Sequence, residues 1–328
     1  MNAKNIEIPL FVVLVGLPAC GKSELAEDMA KEYNAHVVSS DAVRKELYGD
    51  NYIYNPKDNT EVFSVLHNKI TTLLRNGMNV IYDATNIKMK TRMNIIKRYE
   101  SIPCKKICCV VIKPIEACIV DNYYSENDFV STEELVTMYS NFEIPYYYEG
   151  WDNIKVIWNG RITDSTRSLF RTVNNSVGLT SYIATKKYNN NTYKYNVGES
   201  CIKAHKLAKE SNLPKALCSA ALFSEIGYPY MVKYPDTLKN KSWDRMSAYD
   251  SLFYSCISYS GILRFISEKE KTQQFCLHVA ALIQWKDYDI TRDKASIANL
   301  NRIFGDEFIK ELHTLQLICN EARSIFHI

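Results

Sequence analysis

The segment Gly16-Leu17-Pro18-Ala19-Cys20-Gly21-Lys22-Ser23 follows the apolar run Pro9–Val15 and leads into a stretch of helical spacing, Glu24–Tyr33. An apolar strand that turns into a helix through GxxxxGK[ST] is the pattern of a phosphate-binding loop, and it ties the first fifty residues to a strand–loop–helix unit. Its glycines let the backbone wrap a phosphate with N–H groups, and the helix N-terminus adds positive partial charge. Lys22 is expected to pair with the β- and γ-phosphates and Ser23 to ligate Mg²⁺. The loop thus predicts nucleoside triphosphate binding.

The runs His36–Ser39, Asn79–Tyr82, Lys106–Ile112 and Asn153–Trp158 continue the strand pattern, with helical segments such as Glu61–Asn76 between them. That alternation predicts an α/β fold, a parallel sheet flanked by helices, over residues 1–160. Residues 161–196 are polar, carry Arg161, Arg167 and Arg171, and are expected to form a linker. Residues 197–328 read throughout with a period near 3.6, in the segments Glu199–Ser211, Leu213–Ile226, Met246–Glu268, Lys271–Gln284 and Ile297–Phe326, so the second domain is expected to be all-α. Two domains suit a chain of 328 residues. With 40 Lys and Arg against 37 Asp and Glu, the formal charge of +3 excludes a protein that coats nucleic acid by charge alone. No run is long enough to span a bilayer and no leader pattern opens the chain, so a soluble, cytoplasmic protein without a membrane partner is expected. The ten cysteines are scattered through apolar runs and read as reduced thiols. Cys104, Cys108 and Cys109 lack paired CxxC spacing, and in a strand Cys108 and Cys109 point to opposite faces, against a zinc site.

Two further strand ends carry chemistry. In Val37-Val-Ser-Ser-Asp41-Ala-Val-Arg44 an Asp stands just past a strand, where the ligand crevice of an open α/β sheet lies, and can take the proton of an acceptor hydroxyl. Arg44, one helical turn on, shares its side and can hold an acceptor phosphate; the plain alternative is a helix cap with a surface charge. In Asn79-Val-Ile-Tyr-Asp83-Ala-Thr85-Asn86 the strand ends in a carboxylate suited to the metal, with Thr85, Asn86 and the basic stretch Lys88, Lys90, Arg92, Lys97 and Arg98 beyond it. A turn followed by a solvated basic helix is the alternative there.

On GLPACGKS, SSDAVR, YDATN and the tail Phe142-Glu-Ile-Pro145 with Glu149-Gly150-Trp151-Asp152, residues 9–158 resemble the P-loop kinases of the polynucleotide 5′-kinase type. The resemblance implies ATP as phosphate donor with Mg²⁺ at Ser23 and Asp83, Asp41 as general base for a 5′-hydroxyl, and Arg44 on the acceptor phosphate. Thr85, Asn86 and Arg92 are the further expected substrate contacts, and Lys22, Asp41, Arg44 and Asp83 the expected catalytic set. The family's lid carries an Arg-Asn pair and a second Arg. Here Ile119-Val-Asp121-Asn122-Tyr123-Tyr124-Ser125 keeps the asparagine without the arginines, and loss of a cationic finger costs orders of magnitude in phosphoryl transfer.

The second half resembles, in fragments, the HD-domain metal phosphohydrolases. Where an active member has His, His-Asp, His and His, this chain has Ser200, Ser224-Glu225, Cys256 and Lys286. One carboxylate does not hold a dinuclear metal centre, so a metal-free domain for docking or assembly is expected.

The function expected is an ATP-dependent kinase for 5′-hydroxyl ends of RNA or DNA in end repair, with Tyr123, Tyr124 and Tyr146–Tyr148 as possible base-stacking groups. A homo-oligomer or a ligase or phosphatase partner fits such a role. Two alternatives stand beside it: a kinase for a nucleoside, another small molecule or a hydroxymethylated DNA base, and a nucleotide-binding scaffold without turnover.

Overall fold

The structure is a computed structural model that describes residues 8–50, 55–125, 130–158, 197–252, 269–288 and 300–323. The chain divides into two compact units, the first made of residues 1–112, 117–129 and 145–159 and the second of 113–116, 130–144 and 160–328. The first is a parallel sheet with flanking helices. Its order along the chain is β1 (Leu10–Val15), α1 (Lys22–Tyr33), β2 (Ala35–Ser39), α2 (Ser40–Tyr48), α3 (Asn59–Arg75), β3 (Asn79–Asp83), α4 (Met89–Arg98), β4 (Lys105–Ile112) and β5 (Asn153–Trp158). Every strand lies within a residue of its expected bounds at each end. Helix α1 starts at Lys22 rather than Glu24, because Gly21 takes a left-handed φ of 88° and the helix begins at once after it.

The five strands lie in the order β2-β3-β1-β4-β5, all parallel. From β1 the chain moves to one side for β2 and β3 and to the other for β4, so the crevice outside the C-terminal end of β1 is a topological switch point. Period-two alternation sends Val12 and Leu14 of β1 to one face, where with Ile81, Ile107 and Cys109 they bury Ala26 and Met29 of α1. On the opposite face Phe11 meets Tyr99 edge to face at 4.8 Å. Helix α3 buries Val62, Leu66, Ile70 and Leu74, a stripe repeating every four residues. Asn79 ties the entry edge together: its Oδ1 accepts from Leu10 N at 2.8 Å and its Nδ2 donates to the Tyr33 carbonyl at 2.7 Å.

In the second unit every element among the described residues is helical. They are Val197–Glu210, Lys215–Phe223, Tyr228–Lys233, Lys269–Gln284 and Asp306–Arg323, with 244–252 and 300–304 also helical. Two expectations are corrected. The single helix expected over Ile297–Phe326 breaks at Gly305, whose φ of +83° no helix interior allows. The segment 130–144, expected to belong to the first domain, clusters with the C-terminal helices instead. It is held there by Ile144 N donating to Gln284 Oε1 at 2.6 Å and by Tyr139 at 5.3 Å from Tyr249. Helix α5 (Ile115–Tyr123), helix α6 (Thr132–Ser140, opened by a Ser131–Glu134 capping box) and a 3₁₀ turn at Tyr147–Glu149 complete the described elements between β4 and β5. The expected linker 161–196 and its arginines, the continuation of the 246–268 helix past residue 252, and Cys256 lie outside the described residues.

Nine cysteines in the described residues are free and buried. Cys109 packs toward α1, and burial pushes its thiol up to about 12; Cys108, raised by burial as well, feels Arg92 and Glu149 instead. The two point to opposite faces, as strand geometry requires. No helix among the described residues is long and apolar enough to cross a membrane.

Candidate active site

The parallel register aligns the strand ends that carry the motifs. Ser39 of β2 pairs with Asp83 of β3, and Val13 of β1 with Tyr82, so the loop after β1, Asp41 and Asp83 share one edge of the sheet. Gly16 opens the phosphate loop, and its N–H donates to the Thr85 carbonyl at 3.0 Å. A Cβ on Gly16 would sit 2.6 Å from Cys20 Sγ and 2.7 Å from the Val111 carbonyl oxygen, so the close approach of β1 to β4 demands glycine there. Ala19 holds a left-handed φ of 56°, which curls the loop back toward Lys22.

Lys22 is buried, and its Nζ donates to the Leu17 carbonyl at 2.6 Å with Cys20 Sγ at 3.8 Å. An ammonium sunk in a backbone loop and satisfied by a loop carbonyl is placed to exchange that carbonyl for phosphate oxygens. Ser23 Oγ donates to Asp83 Oδ2 at 2.8 Å. Asp83 is buried, and desolvation holds its carboxyl above the usual range, with the Lys22 charge and the Ser23 hydrogen bond opposing and the Asp41 charge adding to the rise. Because Ser39 pairs with Asp83, Asp41 lies two residues past the β2 position that faces Asp83.

The Asp41 side chain is 52% exposed and bonded by Arg44 Nη1 at 2.5 Å. The cap of α2 is Ser39, whose Oγ accepts from Asp41 N and Ala42 N at 3.2 and 3.4 Å, so the carboxylate of Asp41 is not spent on capping. Arg44, 14% exposed, also donates to Asn59 Oδ1 at 3.1 Å. Sequence reading missed Asn59; an Asn opening a helix reads as a cap, and nothing local links it to Arg44.

Two expected substrate contacts are corrected. The Arg92 guanidinium is fully buried, paired in two places with Glu149 at 2.7 and 2.8 Å and donating to the Asn86 carbonyl at 3.0 Å. It is a structural cation of the α4 side and does not face the crevice. Asn86, buried in a left-handed φ of 44°, uses its amide to donate to the carbonyls of Leu14 and Ala84, latching β3 to β1. Thr85 remains half-exposed at the strand end. The tail motif is explained by the same packing. Trp151 Nε1 donates to Glu149 Oε2 at 2.9 Å, and Asp152 Oδ2 accepts from Lys106 N at 2.6 Å, so this stretch clasps α4 and β4.

In the expected lid, Asn122 is buried while Tyr123 and Tyr124 are 72% and 77% exposed. Tyr146–Tyr148 are half-buried. The fit of Mg²⁺ to the crevice rests on the Ser23–Asp83 pair: one hydroxyl and one carboxylate beside a phosphate cradle are what Mg²⁺ takes, with substrate oxygens and water completing the octahedron. Among the described residues no three His, Cys, Asp or Glu side chains gather as a self-sufficient metal site.

Residues 11–145 match a family model described as an AAA domain. The matched span holds the phosphate loop, Asp41 and Asp83. Among solved structures, two of the Pnkp1/Rnl/Hen1 complex, one described as an RNA repair complex, are similar to this chain at 24% identity. Their TM-scores are 0.32 and 0.37, over 36% and 42% of this chain and 40% and 44% of theirs. This chain thus spans less than half the length of those two. A gluconokinase from Sinorhizobium meliloti 1021 is 14% identical with a TM-score of 0.35, over 49% of this chain and 89% of its own. No curated protein sequence matches.

Within the second unit, three of the positions singled out by the phosphohydrolase resemblance are buried, and two of them meet. Lys286 Nζ donates to Glu225 Oε1 at 2.6 Å and lies 3.5 Å from the Ser224 carbonyl oxygen, with Asp244 Oδ1 at 3.4 Å. Arg323 also pairs with Glu225, whose other oxygen accepts from Trp243 Nε1 at 2.5 Å. Ser200 is buried next to Cys201, whose thiol is pushed up to about 12 by burial with Cys319 adding, against the Lys286 and Arg323 charges. The centre of this unit is an ion-pair cluster built on Lys286.

Proposed function

We propose that the protein is an ATP- and Mg²⁺-dependent kinase that phosphorylates the 5′-hydroxyl end of an RNA or DNA strand, in a cytoplasmic end-repair setting. The observation that carries the reading is the Asp41–Arg44 pair standing at the same sheet edge as Lys22 and the Ser23–Asp83 pair. A phosphate cradle needs neither Asp41 nor Arg44; a phosphoryl acceptor needs both a base and a grip.

In this reading the loop N–H groups and Lys22 hold the triphosphate, and Ser23 and Asp83 hold Mg²⁺, which when bound neutralises charge on the β- and γ-phosphate oxygens. Asp41 accepts the proton of the acceptor hydroxyl as the new O–P bond forms and the β–γ bridge bond breaks, leaving ADP. Arg44 grips the phosphate next to the reacting end, a planar fork suited to that group. The half-exposed carboxylate of Asp41 leaves room for the acceptor oxygen. The second unit, with Lys286 at its centre, serves docking or assembly rather than metal chemistry.

A second reading, a nucleotide-binding scaffold, is favoured by the lid segment Ile119–Ser125, which contains no arginine. Transfer of labelled γ-phosphate to a panel of 5′-hydroxyl oligomers, nucleosides and base-hydroxylated DNA separates the readings. Label on oligomer ends supports the proposal, label confined to another acceptor moves the substrate class, and ATP binding without label on any acceptor supports the scaffold.

A further inference from the structure

We propose that Asn59 is a positioning residue for the acceptor grip, fixing the plane of the Arg44 guanidinium; the inference rests on the kinase reading above. Arg44 is held from two sides, by the Asp41 carboxylate at 2.5 Å through Nη1 and by Asn59 Oδ1 at 3.1 Å through Nη2. A single partner leaves an arginine able to rotate about its long stem, whereas two partners on different elements define the direction in which the fork faces. One of those partners, Asp41, is the expected base. When it takes up a proton during transfer its hold on Arg44 weakens, and the neutral amide of Asn59, which does not titrate, keeps the guanidinium in place.

The local geometry turns the Asn59 Oδ1 to Arg44. Asn59 is the first residue of α3, Asp58 stands at the cap position without a side-chain capping bond, and the Asn59 side-chain oxygen Oδ1 accepts from Arg44 of α2. The α2–α3 pair is cross-linked elsewhere, by Lys69 with Glu46 and by Tyr48 Oη donating to Glu61 Oε2 at 2.9 Å. With these cross-links in place, removal of the Asn59 amide is expected to leave the helices docked and to loosen the hold on Arg44.

The test is steady-state transfer to a 5′-hydroxyl oligomer carrying a phosphate next to the reacting end, in the full-length wild type, Asn59→Ala and Asn59→Asp. The expected result for Asn59→Ala is an acceptor KM raised about tenfold with a smaller fall in kcat and an unchanged KM for ATP, since one hydrogen bond to a charged group is lost. Asn59→Asp, which keeps an oxygen facing Arg44, is expected to restore the acceptor KM to within about threefold of wild type. Equal acceptor KM in wild type and Asn59→Ala overturns the inference while leaving the kinase reading intact. Parallel rises in both KM values with a lowered melting temperature also overturn it, because they show a structural role. A wild type that labels no acceptor removes the kinase reading and this inference together.

Discussion

At the scale of single residues, the crevice separates charges by the work each can do. Lys22 and Asp83 are both buried, Lys22 satisfied by a carbonyl of its own loop and Asp83 by Ser23, and these are the bonds that phosphate and metal would replace in the proposed reading. Arg92 shows the opposite arrangement. Its partner Glu149 is as deeply buried as it is, and removal of one member of such a pair strands the other charge. Arg92→Met is expected to destabilise the first unit by about 3–5 kcal/mol in denaturant titration, while folded protein keeps its acceptor KM; a selective loss of acceptor binding at full stability would restore Arg92 to the substrate site. His67 makes a pH-dependent prediction. Burial, with the Arg98 charge adding, lowers it from 6.5 to about 4, and its Nδ1 lies 2.8 Å from the Tyr99 hydroxyl. The unfolded chain binds the proton near pH 6.5 and the folded one only near 4, so folding stability is full above 6.5 and falls as pH drops through that window. Equilibrium unfolding from pH 7 to 4 should show this fall, and His67→Gln should flatten it.

At the scale of elements, the phosphate loop works because β1 and β4 approach so closely at Gly16. Gly16→Ala is expected to abolish ATP binding measured by titration calorimetry, since the added methyl meets Cys20 Sγ at 2.6 Å and the Val111 carbonyl at 2.7 Å. Gly305 tests a different kind of requirement. A Cβ there has open space, so Gly305→Ala costs only the left-handed conformation, about 1 kcal/mol. The five strands and the placement of Lys22, Ser23, Asp41 and Asp83 were legible because each is written locally, in period-two apolar runs and in motifs whose spacing fixes the loop. Arg92 was misread because an exposed basic stretch and a buried ion pair look alike until Glu149, 57 residues away, is brought beside it. Asn86 was misread for a related reason: its amide is turned inward to Leu14, a contact across 72 residues. The break at Gly305 was visible as a glycine, but helical periodicity runs on past it and masks the stop.

For the whole molecule, the sheet's switch point gathers the candidate chemistry into the first unit, and the second unit is centred on the Lys286 ion-pair cluster. Lys286→Ala would leave Glu225 and Asp244 without that cation, and is expected to lower the melting temperature while ATP affinity of the folded protein stays within about twofold. In the proposed mechanism Asp41 is a base for an acceptor and Lys22 a holder of phosphate, two roles in one crevice. The most direct test measures ATP affinity and γ-phosphate transfer to a 5′-hydroxyl oligomer in wild type, Lys22→Ala and Asp41→Asn. Lys22→Ala is expected to lose both, whereas Asp41→Asn is expected to bind ATP like wild type yet transfer at least about a hundredfold more slowly. Undiminished transfer by Asp41→Asn would contradict it.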